Sequence, residues 1–155
     1  MKALLRALDD PEHVERPRGF DTNAEAYRAR LLAERLGSAF GTSCAADLDE
    51  QDSSAFGRVT VPAAATRAGE RIVLCLSAFG RLALVCADNP GAYCGTEDAR
   101  RSGALDPADL RAVAGVLGGL GYVVVPEELV EEAYGGQVRC LSERPTWRDR
   151  YFGTF

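Results

Sequence analysis

Two nearly unbroken apolar segments, separated by a short turn, constrain the fold of this chain more than any other feature. Residues 71–77 and 81–87 are almost entirely apolar, as expected for strands that are buried on both faces. The connection at 78–81 contains Gly80, which can take a positive φ without a Cβ penalty. The sequence therefore predicts a β-hairpin in the middle of a sheet that is covered on both sides.

Further strands are predicted before and after this hairpin. Residues 56–62 alternate, with Val59 and Val61 on one face, and residues 121–125 read Gly-Tyr-Val-Val-Val. A helix predicted at 107–117 separates the last strand from the hairpin, so that strand should run parallel to the first or the third strand. The expected fold class is α+β, with a mixed, mainly antiparallel four-stranded sheet: a meander of three strands plus one strand after a helical crossover.

Capping signals predict helices that pack against this sheet. Thr22 and Glu25 have the spacing of a capping box, which indicates a helix at 22–36 that Gly37 ends. Asp106 and Pro107 begin the crossover helix. Shorter helices are expected near the N-terminus around Leu4 to Leu8, at 127–134, and in the tail, where Thr146 and Asp149 repeat the capping-box spacing.

The chain length suits a single domain. Its 155 residues can bury one hydrophobic core, so the domain is expected to cover 1–155. Residues 9–20 carry two prolines and many charges, which predicts an exposed connector. Residues 41–54 are polar and acidic, and we interpret them as an exposed, mobile acidic loop. A loop is expected at 92–105 and a short edge strand at 138–141.

Charge and cysteine content limit the partners and the compartment. Acidic residues outnumber basic residues 23 to 18, and a surface with this excess repels nucleic acid. No apolar run is long enough to span a membrane, and the N-terminal apolar run is too short for a signal peptide. The five cysteines are odd in number and lack short paired spacings, which predicts reduced thiols in a cytoplasmic protein.

Few side chains are suited to catalysis or metal binding. Cys94 lies in a predicted loop after a strand, where a nearby base would make its thiol nucleophilic. His13 is the single histidine, and it lies far earlier in the chain. The paired ligand spacing of zinc sites, the glycine and bidentate acid of a calcium loop, and a phosphate-binding loop are not found in the sequence, so neither a metal nor a cofactor is expected.

Two groups of side chains are candidates for a protein-binding surface. The helix at 127–134 carries acidic residues that either form a solvated face or attract a basic partner, and these are Glu127, Glu128, Glu131 and Glu132. The tail carries aromatic residues with arginines between them, which either dock on the core or form an interface, including a homodimer. The tail candidates are Trp147, Arg148, Arg150 and Tyr151.

These observations favour a non-catalytic, cytoplasmic protein-binding protein. An acidic surface suits an adaptor or a bacterial immunity-type inhibitor, because charge complementarity speeds the encounter with a basic partner and selects it. A small thiol-dependent enzyme that uses Cys94 is one alternative. A small-molecule-binding domain, with a pocket between sheet and helices, is the other.

Overall fold

A five-stranded mixed sheet with helices packed against it organises the structure. The structure is a computed structural model, and it describes residues 1–48, 55–138, 141 and 143–153. The strands of this part are β1 (Ala45–Asp47), β2 (Ala55–Val61), β3 (Ile72–Ser77), β4 (Leu82–Ala87) and β5 (Val123–Val124). Its α-helices are α1 (Lys2–Leu8), α2 (Thr22–Phe40), α3 (Thr96–Arg101), α4 (Pro107–Gly119), α5 (Glu127–Val130) and α6 (Trp147–Tyr151), and a 3-10 turn lies at Ala63–Ala65. The predicted class, α+β, is confirmed.

The central hairpin is confirmed in detail. β3 and β4 pair antiparallel, and every residue of both strands is buried. The turn between them has positive φ at both Gly80 (59°) and Arg81 (53°). The amide of Leu82 donates to the carbonyl of Phe79 at 3.1 Å, which closes a tight turn whose twist matches that of the flanking strands.

The predicted number of strands is wrong, because an additional strand lies inside the segment predicted as an acidic loop. The strand order is β1-β2-β3-β4-β5, and β1 pairs antiparallel with β2, with Ala46 opposite Val59. The sequence Ala-Ala-Asp of β1 has no β-branched residue, so its strand conformation depends on pairing rather than on local propensity. Residues 49–54 of the predicted loop lie outside the described residues.

A glycine in β2 makes room for β1. A Cβ atom added at Gly57 would lie 2.6 Å from the backbone oxygen of Asp47 and 3.3 Å from the Cα atom of Leu48. Any other residue here would therefore push the backbone of β1 away from β2.

The crossover prediction is confirmed. β5 follows α4 and pairs parallel with β4, through Leu82 opposite Val123. Asp106 caps α4 by accepting from the amides of Ala108 and Asp109. The loop predicted at 92–105 contains the short helix α3, which corrects that prediction.

The boundaries of α2 differ from the prediction at both ends. Asp21, not Thr22, is the N-cap residue, and its side chain accepts from the amide of Ala24. The helix continues through Gly37 to Phe40 and ends at Gly41, which has a φ of 64°. A Cβ atom on Gly37 would lie 2.7 Å from the backbone oxygen of Thr42, so this glycine allows close packing instead of ending the helix.

Different helices cover the two faces of the sheet. Leu74 lies opposite Val59, so they share a face, and Ala46 belongs to the same face and lines a groove together with α2. Val85 of β4 lies opposite Leu74 and shares its face. Cys86 is the next residue of β4, so its side chain points to the opposite face, where it contacts Glu127 of α5. The core therefore has two layers, one on each side of the sheet.

The segments at the chain ends pack beside α5 and the turn between β3 and β4. The predicted capping box at the start of α6 is confirmed, and α5 is shorter than the predicted helix at 127–134. Residues 9–20 form neither helix nor strand, but several of their side chains are half-buried. The edge strand predicted at 138–141 includes residues 139 and 140, which lie outside the described residues.

Candidate functional site

Two of the acidic side chains predicted as a binding surface, Glu127 and Glu131, pair with an arginine of the same chain. Glu127 is only 3% exposed, and its Oε1 atom accepts from Arg148 of α6 at 3.0 Å and from the amide of Gly91 at 3.2 Å. Glu131 accepts from the same guanidinium at 2.5 Å. Burial lowers the pKa of Arg148, but the two carboxylates raise it by more, so this arginine remains charged.

The other acidic side chains of this region also have local partners. Glu128 accepts from the amide of Glu97 at 2.7 Å, close to Gly95, where a Cβ atom would lie 2.5 Å from its carboxyl carbon. Glu132 pairs with Lys2 at 2.6 Å, and both side chains are about half exposed. Glu127 and Glu128 therefore hold the loop between β4 and α3 in place. Glu128, Glu131 and Glu132 keep exposed surface, but a partner would find their charges partly compensated.

The aromatic tail residues lie in the core. Trp147 and Tyr151 are 3% and 0% exposed, and their rings stack with centroids 6.0 Å apart. The hydroxyl of Tyr151 donates to the carbonyl of Leu5 in α1. This arrangement agrees with the interpretation that the tail docks on the core. A homodimer through these rings stays a prediction, and it would require them to leave the core.

Arg150 joins the two ends of the described chain. Its side chain is fully buried and lies over the ring of Phe79, with its central carbon 4.2 Å from the ring centroid. It donates to Asp9 Oδ1 at 2.8 Å and to the backbone carbonyls of Val14 and Asp10 at 2.9 and 3.1 Å. The connector is therefore fixed by a guanidinium that lies 141 positions away from Asp9 along the chain.

The structure gives the thiol-enzyme alternative little support. Cys94 is exposed, and its amide donates to the carboxylate of Asp98 at 3.0 Å. The side-chain partner that the structure gives His13 is Asp10, whose Oδ2 atom lies 2.9 Å from Nδ1. Among the contacts of the described residues, His13 and Cys94 are therefore not brought together.

Two other cysteines, Cys75 and Cys86, are structural. Cys75 and Cys86 are each 2% exposed. A hydrogen bond between the Cys86 thiol and Cys75, together with burial, raises the pKa of Cys86, so its thiol stays protonated and unreactive. Both residues therefore act as small hydrophobic side chains of the core.

One group of possible metal ligands was not anticipated. Asp10, Glu12 and His13 place one ligand atom each within 4.8 Å of one another. The spacing Asp-x-Glu-His in the connector is the sequence signal that could have indicated it. Asp10 is engaged with His13, and Glu12 lies 3.5 Å from Arg18, whose positive charge opposes cation binding.

An open groove lies between α2 and the edge strand β1, on the face of the sheet to which Ala46 belongs. Its volume is about 680 Å³. Ala33 and Gly37 of α2 and Ala46 of β1 line it with little or no side-chain volume, and Arg30 and Glu34 contribute charges. Two smaller cavities, of about 300 and 260 Å³, lie beside Asp109 and beside Gly136. The sequence offered a pocket between sheet and helices only as one alternative, and it did not locate this groove because 41–54 was interpreted as a loop.

No family model matches the sequence, and the comparisons with curated proteins and with solved structures found no match. No helix among the described residues is long and apolar enough to cross a membrane. The class that the structure itself defines is an α+β protein with a five-stranded mixed sheet and an open groove along one sheet edge.

Proposed function

We propose that the protein is a non-catalytic protein-binding protein whose partner docks at the sheet edge formed by β1. The groove between β1 and α2 is the observation that carries this proposal. The partner segment is extended, and it adds a strand to the sheet at β1 while its side chains enter the groove.

The side chains of β1 favour strand addition. Edge strands are commonly protected by short length, charged side chains, proline or a bulge, because their outward N–H and C=O groups pair readily with another chain. Among these devices, β1 has a short length and the charge of Asp47. β1 carries Ala45 and Ala46 at two of its three positions. These small side chains leave the backbone accessible to an incoming strand.

The wall of the groove supplies room and charge. Ala33 and Gly37 project little or nothing into the groove, so alternate side chains of an added strand have space there. Arg30 and Glu34 are exposed on the same side of α2, one helical turn apart. A partner can therefore pair with one positive and one negative group.

The acidic-surface form of the hypothesis is less favoured. Glu127 is buried against Arg148, so it offers no surface to a partner. Reversing all the acidic residues of this region would break that buried pair and destabilise the fold. A valid test of the acidic surface therefore changes only the exposed residues, as in the double variant Glu128→Lys, Glu132→Lys.

The proposal is tested with short random peptides displayed as a library and selected on the immobilised full chain. The affinity of a selected synthetic peptide is then measured for variants of the groove. Ala46→Pro removes a backbone donor of β1, and Ser38→Trp fills the groove while leaving β1 unchanged. We expect each to weaken binding by at least about tenfold.

The matched control is Ala114→Trp, which adds the same side chain at an exposed helical position outside the groove. It should change the affinity by less than about twofold, as should Glu128→Lys, Glu132→Lys. The proposal is overturned if Ser38→Trp binds as tightly as the unchanged chain, or if only the acidic double variant loses binding.

A further inference from the structure

We infer that the segment accepted at this edge is β1 of a second copy of the chain, so that two sheets join about a two-fold axis. This inference rests on the proposed function, because it names the partner of the same edge. A two-fold contact uses the same surface on both copies, so that surface must be complementary to itself. The arrangement of α2 beside β1 meets this requirement.

The turn between α2 and β1 determines which residues of β1 lie beside which residues of α2, at the same level along the helix axis. The chain reverses at Gly41, and an added Cβ on Gly37 would lie 3.8 Å from the amide nitrogen of Cys44. Cys44 is therefore level with Gly37. Two strand residues cover about 6.6 Å, which corresponds to about four residues of helix. Ala46 therefore lies level with Ala33, and both residues line the groove.

The charges of α2 lie on either side of this level. Arg30 and Glu34 are exposed residues of the groove, before and after Ala33. Antiparallel pairing about an axis through Ala46 keeps the two α2 helices on the same face of the joined sheet, in opposite directions. Arg30 of one copy then faces Glu34 of the second copy, and the same ion pair forms twice.

The strand pairing itself brings no like charges together. With the axis at Ala46, this residue lies opposite its own equivalent, and Ala45 lies opposite Asp47 of the second copy. Like charges directly opposite each other would destabilise such a pair. The short strand is therefore as self-complementary as the helix beside it.

Reversing the charge of Arg30 or of Glu34 gives a specific test of this contact. Dimer formation is measured by sedimentation velocity of the full chain from about 1 to 100 µM. The unchanged chain should form dimers as its concentration rises. Arg30→Glu alone and Glu34→Arg alone each place like charges face to face twice, so each should raise the dissociation constant at least about tenfold. An equimolar mixture of the two variants should dimerise again, because both pairs across the interface become opposite in sign. Arg111→Glu, on the exposed side of α4, is the matched control and should dimerise normally.

The outcomes separate this inference from the proposed function. A chain that stays monomeric throughout, or a mixture no better than the single variants, overturns the inference. If library peptides still require β1 in that case, the proposed function stands with a different partner. If the chain dimerises but Ala46→Pro dimerises equally well, the contact lies elsewhere and the inference fails.

Discussion

Arg148 and Arg150 are two residues apart in α6, and they hold two different parts of the chain. Arg148 reaches Glu127 of α5, and Arg150 reaches Asp9 of the connector. Buried ion pairs need additional hydrogen bonds to offset the loss of water, and both arginines make them. The sequence identified these residues as candidates, but it could not show that their partners lie within the chain.

Removing the Arg150 side chain should strongly destabilise the fold. Arg150→Ala leaves the carboxylate of Asp9, whose side chain is 7% exposed, without its ion-pair partner. We expect the free energy of unfolding to fall by about 3–5 kcal/mol, measured by urea denaturation. The exposed control Arg144→Ala should change it by less than about 0.5 kcal/mol. A loss for Arg150→Ala as small as that of the control would show that Arg150 does not fix the connector.

Two charge-neutralising variants distinguish a buried carboxylate from a surface one. Glu127→Gln keeps the shape of the side chain but leaves Arg148 partly unpaired in the core, so a loss of about 2–4 kcal/mol is expected. Glu132→Gln removes only an exposed pair with Lys2, so a loss below about 1 kcal/mol is expected. Equal losses in urea denaturation would show that Glu127 is not buried as described.

Tyr122 should make stability depend on pH in the alkaline range. Burial raises the pKa of Tyr122 from 10.0 to about 12, and the nearby carboxylate of Glu25 adds to the shift. The unfolded chain then loses this proton before the folded chain does, so stability is complete below about pH 10 and falls as pH rises towards 12. Tyr122→Phe should make the fall less steep in urea denaturation at a series of pH values. An unchanged slope would rule out this contribution.

Helices and strands that carry a signal within their own segment could be predicted from the sequence, whereas a strand that forms only by pairing could not. The hairpin, the crossover and the capping box of α6 were predicted because an apolar run, a helix pattern or a cap is contained within each segment. β1 was missed because Ala-Ala-Asp carries no such signal and becomes a strand only by pairing with β2. The end of α2 was placed early because Gly37 resembles a stop signal, whereas its function is close packing at Thr42.

Replacing two glycines by alanine should have opposite effects. Gly57→Ala places a Cβ against the backbone of Asp47, which cannot move without disturbing the β1–β2 pairing, so a loss of about 1–3 kcal/mol is expected. Gly115→Ala lies in α4, with nothing within 4 Å of the added atom, and should stabilise the chain by about 0.5–1 kcal/mol. Urea denaturation measures both. A Gly57→Ala chain as stable as the unchanged chain would contradict the close approach of β1.

For the whole molecule, the location of charge matters more than its total. The net charge of −5 suggested an acidic binding surface, but the acidic side chains of 127–132 hold α6, α1 and the loop before α3. β1 lies at one edge of the sheet, and β5, which precedes α5, lies at the other. The proposed docking edge is therefore across the sheet from the acidic helix. The groove beside this three-residue edge strand, rather than the most conspicuous charge pattern, carries the functional proposal.

Backbone amide hydrogen exchange, measured on the dilute full chain with and without an excess of a selected peptide, tests this claim most directly. We expect added protection at residues 45–47 and along the groove side of α2, with none at 127–132. Ser38→Trp should abolish the protection. Protection at 127–132 without any change at β1 would contradict the account and would restore the acidic helix as the binding surface.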